Sequence, residues 1–88
     1  MLNLFLTRRF KTDLKKFEHN KSVKKELDFV LKILLKKEKL HEKYKDHVLS
    51  GVYKGARECH IKPDVLLIYW EDGEYLHLDR IGSHSELF

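Results

Sequence analysis

The 88-residue chain has few of the residues that small proteins use to brace a fold: one cysteine, one proline and four glycines. Cys59 has no partner for a disulfide within the chain, so its use gives no sign of an oxidising compartment. The apolar run from Leu2 to Leu6 is interrupted by Asn3, and two arginines follow directly after Thr7, which makes the run too short for a signal peptide or a membrane span. We therefore expect a cytoplasmic protein with no targeting segment and no membrane partner.

Patterns that bind metals or phosphates through a fixed spacing are also absent. The chain has six histidines but no HExxH, CxxC or other short paired-ligand spacing, and no glycine-rich phosphate loop. We expect no metal and no cofactor. No repeat or linker divides the chain, so residues 1–88 are predicted to form a single domain whose active site is a surface cleft.

The composition is that of a globular protein with a basic surface. Hydrophobic residues make up 42% of the chain and charged residues 36%. Eighteen Lys and Arg against 14 Asp and Glu give a net charge of +4, which favours a polyanionic partner such as RNA or an acidic protein. The alternative is a basic surface that only aids solubility. The lysines of the N-terminal half are expected to form a solvated helix face rather than an RNA track.

The N-terminal half is predicted to be one strand followed by two helices. Leu2, Leu4 and Leu6 alternate with other residues, which predicts a short strand with a leucine face turned to the core. Thr7 is placed to cap a first helix, and a second helix is predicted to begin near Ser22. Apolar residues then recur at helical spacing, Phe10, Leu14 and Phe17 in the first helix and Val23, Leu27, Val30, Leu31, Leu34 and Leu35 in the second.

The C-terminal half is predicted to contain three strands. Between Arg57 and Lys62, Cys59 and Ile61 share one face, whereas Glu58 and His60 share the other, so His60 should look out into a cleft. The segment from Val65 to Trp70 is apolar throughout, which is typical of a central strand covered on both faces.

Tyr75 to Ile81 is the last predicted strand. Its alternation places Arg80 on the side of Leu76 and Leu78, so Arg80 must emerge where the core ends or be redirected by a bulge. The whole order is β-α-α-β-β-β, which predicts an α+β domain with an antiparallel sheet packed against two N-terminal helices.

The second half also collects side chains suited to proton transfer on a phosphate ester. RNA carries its own nucleophile, the 2′-hydroxyl, so cleavage needs a base, an acid for the departing 5′-oxygen and positive charge at the phosphate. Imidazoles exchange protons near neutrality, and the planar guanidinium binds phosphate with two hydrogen bonds. The predicted catalytic residues are His47, His60, Asp64, Arg80 and His84.

These residues have distinct predicted roles. Asp64 follows His60 across the Pro63 turn and is expected to orient its ring, while His47 approaches from the preceding loop. His84 and Phe88 arrive on the short tail, the first as an acid or base and the second as a stacking platform for a base. Each of them alone is more often a solvated, turn or ion-pair residue, so the prediction depends on their convergence. His19, His41 and His77 fall outside the group, and Cys59 is expected in the core.

The same residues carry a resemblance to a known family. The motifs that carry it are Tyr44-Lys45-Asp46-His47, Gly51, Lys54-Gly55, Arg57-Glu58-Cys59-His60, Pro63-Asp64, Leu67-Ile68-Tyr69 and Arg80-Ile81-Gly82-Ser83-His84-Ser85-Glu86-Leu87-Phe88. In these motifs the chain is similar to the YafQ branch of the RelE superfamily of bacterial toxins, and the likeness runs in order through the whole second half.

The resemblance implies a RelE-like fold and a metal-independent mRNA interferase of a type II toxin–antitoxin system. Such toxins cut mRNA, often within the ribosomal A site, and a co-encoded antitoxin protein neutralises them. Expected partners are therefore mRNA, the ribosome and a cognate antitoxin. The alternatives are a non-catalytic toxin like the gyrase-poisoning ParE relatives, which a set of proton donors argues against, and a plain RNA-binding domain.

The resemblance also implies roles for individual residues. It makes His47, His60, Asp64 and His84 the acid and base group without saying which histidine is which. Arg80 is implied to stabilise the phosphate and Phe88 to help place the substrate. Further substrate contacts are predicted for Lys45, Lys54 and Arg57, which lie in the same motifs.

Overall fold

The computed structural model describes residues 1–88, which form five β-strands and three α-helices. Two short 3-10 turns, Glu42–Tyr44 and Gly51–Tyr53, lie on either side of the second strand. The strands are β1 (Asn3–Leu6), β2 (His47–Val48), β3 (Arg57–Lys62), β4 (Val65–Glu71) and β5 (Tyr75–Gly82), and the helices are α1 (Arg8–Lys15), α2 (Lys21–Leu35) and α3 (His84–Leu87).

The strands form one sheet in the order β1-β5-β4-β3-β2, which makes β4 central. Strands β2 to β5 pair antiparallel, whereas β1 runs parallel to β5. The predicted α+β fold is confirmed, but its sheet is mixed rather than wholly antiparallel. Two helices separate β1 from the other strands, and a long connection through helices permits parallel pairing, which a short hairpin turn does not.

Side-chain caps fix where α1 and α2 begin. Thr7 Oγ1 accepts a hydrogen bond from the Phe10 amide at 3.0 Å, as predicted, and Asn20 Oδ1 accepts one from the Val23 amide at 3.0 Å. Helix α1 ends at Lys15, before the end of its predicted stripe, although Phe17 in the following turn still packs against the core. None of the helices has the length and apolar character needed to cross a membrane.

The sheet has a core on each face. The larger core lies between the sheet and the first two helices, and it receives Val65, Leu67 and Tyr69 from β4. On the opposite face, Leu66 and Ile68 of β4 pack with Ala56 and with Leu87 of α3. We call this opposite side the α3 face. The prediction that β4 is covered on both faces is confirmed from Val65 to Tyr69, and each fully buried large side chain stabilises the fold by about 1.5–3 kcal/mol.

The leucines of β1 depart from the predicted pattern. Leu2 is buried and Leu6 packs against the larger core, but Leu4 is 43% exposed. Strand β1 lies at the edge of the sheet, where the core covers only part of the strand. The predicted continuous leucine face is therefore wrong at Leu4.

A bulge in β5 redirects Arg80, which is one of the two routes expected from the sequence. Tyr69 pairs with Leu78, but the preceding residue, Ile68, pairs with Arg80, so β5 carries an extra residue at this point. The side chains of Leu78 and Ile81 both enter the larger core, and Arg80 takes the register of Ile68 on the α3 face.

Candidate active site

Two predicted catalytic histidines lie beside one carboxylate on the α3 face. His47 of β2 is in register with Glu58 of β3, and His60 follows two residues later on the same side of that strand. His47 Nε2 lies 3.4 Å from Glu58 Oε1, and His60 Nε2 lies 3.7 Å from the same oxygen. The side chain of Glu58 is 7% exposed, against 51% for His47 and 25% for His60. A buried carboxylate thus holds two accessible imidazoles.

A backbone carbonyl sets the orientation of the His47 ring. His47 Nδ1 lies 2.7 Å from the carbonyl oxygen of Lys45. Since a carbonyl oxygen can only accept, Nδ1 must carry the hydrogen of this bond. Nε2 is therefore the nitrogen that faces Glu58 and the cleft.

Sequence reasoning missed Glu58 as a member of this group. The alternation of β3 had placed Glu58 and His60 on the same face, and this shared face was the signal that could have identified it. A carboxylate buried without a partner is costly, so a buried Glu on a face that carries histidines is expected to contact them.

Asp64 does not occupy its predicted place beside His60. It is exposed in the turn between β3 and β4, and the carboxylate near His60 belongs to Glu58 instead. No pair within 4.0 Å joins Asp64 to a histidine or any other cation. The prediction that Asp64 orients the His60 ring is wrong, because a residue within a turn is not held on the face of the strand that precedes it.

Lysines border the cleft at His60. A cavity of about 230 Å³ is lined by His60, Pro63, Tyr44, Lys43 and Lys45. The backbone of Lys45 is left-handed, with a φ of 50°, where it ends the 3-10 turn before β2. Lys43 and Lys45 therefore share a cavity with His60, and the Lys43 ammonium lies over the Tyr44 ring, 5.2 Å from its centroid. Lys43 is a further residue that sequence reasoning did not select.

Helix α3 begins at His84, and Phe88 follows its last residue. Ser83 and Glu86 form a capping box at its start, with the Ser83 amide donating to Glu86 Oε1 at 2.8 Å. The hydrogen bond from this amide, with the Lys16 ammonium 3.2 Å away, lowers the pKa of Glu86 to about 2. The His84 and Phe88 rings stack with centroids 5.0 Å apart.

Arg80 is held by an ion pair. Its Nε and Nη2 donate to Asp13 of α1 at 2.6 and 3.1 Å, and both side chains are largely buried. Asp13 Oδ2 also accepts a hydrogen bond from the Ile81 amide. Strand β1 pairs with β5 only as far as Leu78, so at Ile81 the Asp13 carboxylate takes the place of a strand partner. The hydrogen bonds with Asp13 raise the pKa of Arg80, and Tyr53 adds to this. Part of the fork predicted to clamp phosphate is therefore occupied by Asp13.

The sheet register shows how far apart these groups lie. Glu58, Ile68 and Arg80 form one row across β3, β4 and β5, and His60, Leu66 and Gly82 form the next. Two strand spacings separate the ends of each row, a backbone distance of about 10 Å. His47, His60, Arg80, His84 and Phe88 thus gather on or beside the α3 face, while their catalytic roles stay predictions.

Two predicted substrate contacts lie elsewhere. Arg57 is in register with Tyr69, on the helix side of the sheet, and its Nε donates to Asp46 at 3.2 Å. Tyr69 donates to the same Asp46 oxygen at 2.6 Å. Arg57 is therefore not among the histidines, because alternation along β3 turns it to the opposite face from Glu58. Lys54 lines a separate cavity on the α3 face.

The residues set aside in the sequence lie outside the cleft. Cys59 is fully buried, and burial raises the pKa of its thiol, which keeps it protonated and unreactive. His77 stacks on Trp70 instead of joining the histidine group. No group of three or more His, Cys, Asp or Glu side chains is placed to hold a metal ion.

Comparisons with known proteins agree with this architecture. Residues 2–88 match the family described as bacterial toxin of type II toxin-antitoxin system, YafQ. The mRNA interferase toxin YafQ of Escherichia coli strain K12 is 47% identical over 45 residues, which are 51% of this chain and 49% of that protein, so the match spans about half the length of this relative. The putative toxin YafQ of Haemophilus influenzae is 35% identical over 79 residues, 85% of this chain and 78% of that protein.

Solved structures extend the likeness over the full chain. A copper-bound mutant toxin from Helicobacter pylori has a TM-score of 0.93 at 46% identity and covers 100% of both chains. The toxin in the DinJ-YafQ complex of E. coli has a TM-score of 0.88 at 29% identity, covering 100% of this chain and 99% of that one. With a family match over residues 2–88, the chain belongs to the YafQ family of bacterial toxins of type II toxin–antitoxin systems.

Proposed function

We propose that this protein is an endoribonuclease toxin, an mRNA interferase that cleaves mRNA with its own acid and base side chains and without a metal ion. The observation that carries the proposal is the pair of imidazoles on the α3 face, where His47 and His60 lie 3.4 and 3.7 Å from the Glu58 carboxylate. His84 belongs to α3, which packs on the same face through Leu87. The names of the E. coli relatives, which are mRNA interferase toxins, support the same reaction.

The proposed step balances without a co-reactant. One imidazole takes the proton of the ribose 2′-hydroxyl as this oxygen attacks the phosphorus, and a second imidazole gives a proton to the 5′-oxygen as its bond to phosphorus breaks. The products are a 2′,3′-cyclic phosphate, or its 3′-phosphate hydrolysis product, and a 5′-hydroxyl end. The protons exchange among His47, His60 and His84, and the order of their roles is a matter for kinetics.

Positive charge at the crowded phosphate comes from two sources in this proposal. Lys43 and Lys45 are exposed at the cavity of His60, and their ammonium groups can offset the charge that builds up on the phosphate oxygens. Arg80 supplies a fixed charge, since Asp13 holds its guanidinium in place. The Asp13 carboxylate partly neutralises that charge, so we expect the lysines to share the phosphate-stabilising role predicted for Arg80.

An antitoxin is the proposed regulatory partner. The E. coli relative was solved in complex with DinJ, and the net charge of +4 suits a partner with acidic or amphipathic segments. The ribosome is proposed as the place where mRNA is presented to the cleft. Cleavage assays with and without translating ribosomes, and with the product of the neighbouring gene added, test both partners.

The decisive experiment compares His84→Ala with His19→Ala. His84 is exposed on α3 and His19 has a side chain that is 94% exposed in the turn between α1 and α2, so neither change should unfold the domain. We expect His84→Ala to lower the cleavage rate by about 10²–10⁴-fold, the usual contribution of a positioned acid or base, and His19→Ala to leave it unchanged. The assay uses purified protein, RNA and translating ribosomes in the presence of a chelator, with analysis of the RNA ends.

Each result separates the proposal from its rivals. Wild-type protein that binds RNA but never cuts it would leave a plain RNA-binding domain, and protein that does neither would point to a toxin that acts on a protein target. A fully active His84→Ala variant, or activity lost in chelator, would contradict the proposed mechanism.

A further inference from the structure

A second cavity on the α3 face takes no part in the proposed reaction. It measures about 350 Å³ and lies between the segment after β2 and the end of the β4–β5 ladder. Sites that bind small organic groups in proteins typically measure about 300–1,000 Å³, so the cavity suits one small planar group. Among its lining side chains are Tyr53, Lys54, Trp70 and Asp79.

The Trp70 ring is fixed in place at the wall of this cavity. His77 stacks on it with centroids 3.8 Å apart and the planes within 5° of parallel. His77 is itself held, since its Nε2 lies 3.0 Å from Asp72 and the Phe5 ring packs against it at 5.3 Å. A flat ring with one face covered presents its other face to a ligand. Trp70 is 37% exposed, which a residue serving only as core would not need.

The polar groups around the indole suit a nucleotide. The Asp79 carboxylate can accept hydrogen bonds from the amino groups of a base, as acidic side chains do with cytosine. Lys54 is exposed and provides an ammonium for a backbone phosphate. Aromatic rings beside a cation are the usual platform for single-stranded RNA, because every base has a face that can stack.

The cavity adjoins the candidate active site through Tyr53. Tyr53 lines the cavity and also packs its ring edge-on against Phe88, with centroids 5.5 Å apart, while its hydroxyl donates to the Leu87 carbonyl. Ile68 of β4 is paired with Arg80. Trp70 lies two residues farther along β4, at a distance of about 7 Å along the strand. A strand of RNA whose scissile phosphate lies in the cleft would therefore pass over Tyr53 towards Trp70.

We propose that this cavity is a base-binding subsite in which a nucleobase flanking the scissile linkage stacks on Trp70. This inference rests on the proposed function, because its ligand is a base of the same RNA strand. It concerns the binding of that strand and not its cleavage. An antitoxin side chain is the competing occupant, and the test below separates the two.

The chain contains a single tryptophan, so its fluorescence reports on this subsite directly. The probe is an oligonucleotide of mixed sequence with 2′-O-methyl groups throughout, which cannot be cleaved because it has no free 2′-hydroxyl. We expect saturable quenching of the Trp70 emission, with the same midpoint as the anisotropy change of a labelled copy of the probe. Binding without any change in the Trp70 emission would overturn the proposal.

Variants measured by anisotropy provide the second test. Loss of one base–aromatic stack predicts that Trp70→Ala weakens binding of the probe by about 5- to 150-fold, and Trp70→Phe should retain most of the affinity. The matched control is Phe5→Ala, which removes another exposed aromatic ring from the same cluster but does not line the cavity. Equal losses for Trp70→Ala and Phe5→Ala would show a general packing effect and sink the subsite.

The outcomes for the two proposals can be told apart. Quenching by the probe without cleavage of natural RNA would keep the subsite and refute the proposed catalysis, whereas cleavage without quenching would do the reverse. Trp70→Ala that weakens binding of the cognate antitoxin but not of the probe would assign the surface to the protein partner and overturn the proposal.

Discussion

Glu58 shows how a single buried charge can organise an exposed site. Its carboxylate is nearly inaccessible, and the two ionisable side chains within 4.0 Å of it are the imidazoles of His47 and His60, which carry positive charge only when protonated. A buried carboxylate must be paired or hydrogen-bonded to be tolerated, so the same contacts that satisfy Glu58 restrict the two imidazoles. The proposed acid and base groups are therefore positioned from behind by a residue that need not touch RNA.

This positioning role predicts a specific kinetic effect. Glu58→Gln keeps the shape of the side chain but removes its charge, so both imidazoles should lose an anionic neighbour, and the His60 ring, which lacks the carbonyl contact of His47, should be the less well positioned. Misplacement of reacting groups by about 1 Å can cost on the order of 100-fold, and we expect a fall of that size in kcat with little change in KM, as measured by single-turnover and steady-state RNA cleavage.

The control is Glu71→Gln, which removes an exposed carboxylate at the end of β4. Partial recovery of kcat in Glu58→Asp would support positioning by charge. An unchanged kcat in Glu58→Gln, with the fold intact, would show that the histidines do not depend on this carboxylate.

Residues within regular strands were predictable, and residues beyond the strands were not. Alternation correctly placed Cys59 and Ile61 in the core, and the parity conflict at Arg80 correctly indicated a bulge. Asp64 could not be placed in the same way, since the orientation of a turn residue depends on tertiary contacts. The Asp13 partner of Arg80 lies 67 positions away, and no local pattern connects the two.

At the scale of elements, α3 determines whether the site is complete. The helix has only four residues, too few for apolar periodicity to reveal it, and an isolated helix of this length is unstable in water. Its capping box and the Leu87 side chain attach it to the sheet. The spacing of Ser83 and Glu86 is the S-x-x-E signature of a helix start, so this part of the fold could have been predicted.

The capping box predicts loosening of α3 in acid. Bonding to the Ser83 amide depresses the pKa of Glu86 from 4.5 to about 2 in the folded protein. A depressed carboxyl pKa stabilises the folded state above the unfolded value and ceases to do so as pH falls through the folded value. We therefore expect α3 to lose protection between pH 4.5 and about 2, measured by amide NMR and hydrogen exchange at Leu87 and Phe88.

Glu86→Gln should remove this pH dependence at α3, whereas Glu74→Gln, in the exposed hairpin, should leave it in place. Asp72 also has a pKa lowered to about 2, chiefly through its hydrogen bond with His77. Its titration affects the β4–β5 hairpin, so measurements at individual residues are required. Uniform loss of protection over the whole chain would mean that α3 is not a separate unit.

Two other elements escaped prediction for physical reasons. Strand β2 has two residues, which is shorter than any alternation that a sequence can display. The parallel pairing of β1 with β5 depends on the direction in which the two intervening helices cross the sheet. Their amphipathic stripes show that the helices pack against the sheet, but they do not specify this direction.

At the scale of the whole molecule, the question is where its positive charge meets RNA. The net charge of +4 comes from lysines on both halves of the chain. Four of them lie exposed on α2, which packs on the opposite side of the sheet from α3. Lys43, Lys45 and Lys54 instead line cavities on or beside the α3 face. If one RNA strand occupies both the cleft and the Trp70 subsite, only Lys43, Lys45 and Lys54 should contact its phosphates.

Salt dependence distinguishes these two groups of lysines. For single-stranded nucleic acid, the logarithm of the binding constant falls with the logarithm of salt concentration by about 0.7 per phosphate neutralised. Replacing Lys43, Lys45 and Lys54 together by alanine should therefore reduce the slope by about 2. The measurement is anisotropy of the uncleavable 2′-O-methyl probe over a series of salt concentrations.

The matched control is a triple replacement on α2 and just after it, which removes the same amount of charge from the exposed helix face: Lys21, Lys25 and Lys36. Because counterions are released only where phosphates are contacted, this variant should keep the slope of the wild type and lose only a little affinity through the long-range field. Equal reductions of slope in both variants would place RNA across the helices as well as the sheet. In that case the lysines of α2 would be part of the binding surface, and their interpretation as a solvated face would be wrong.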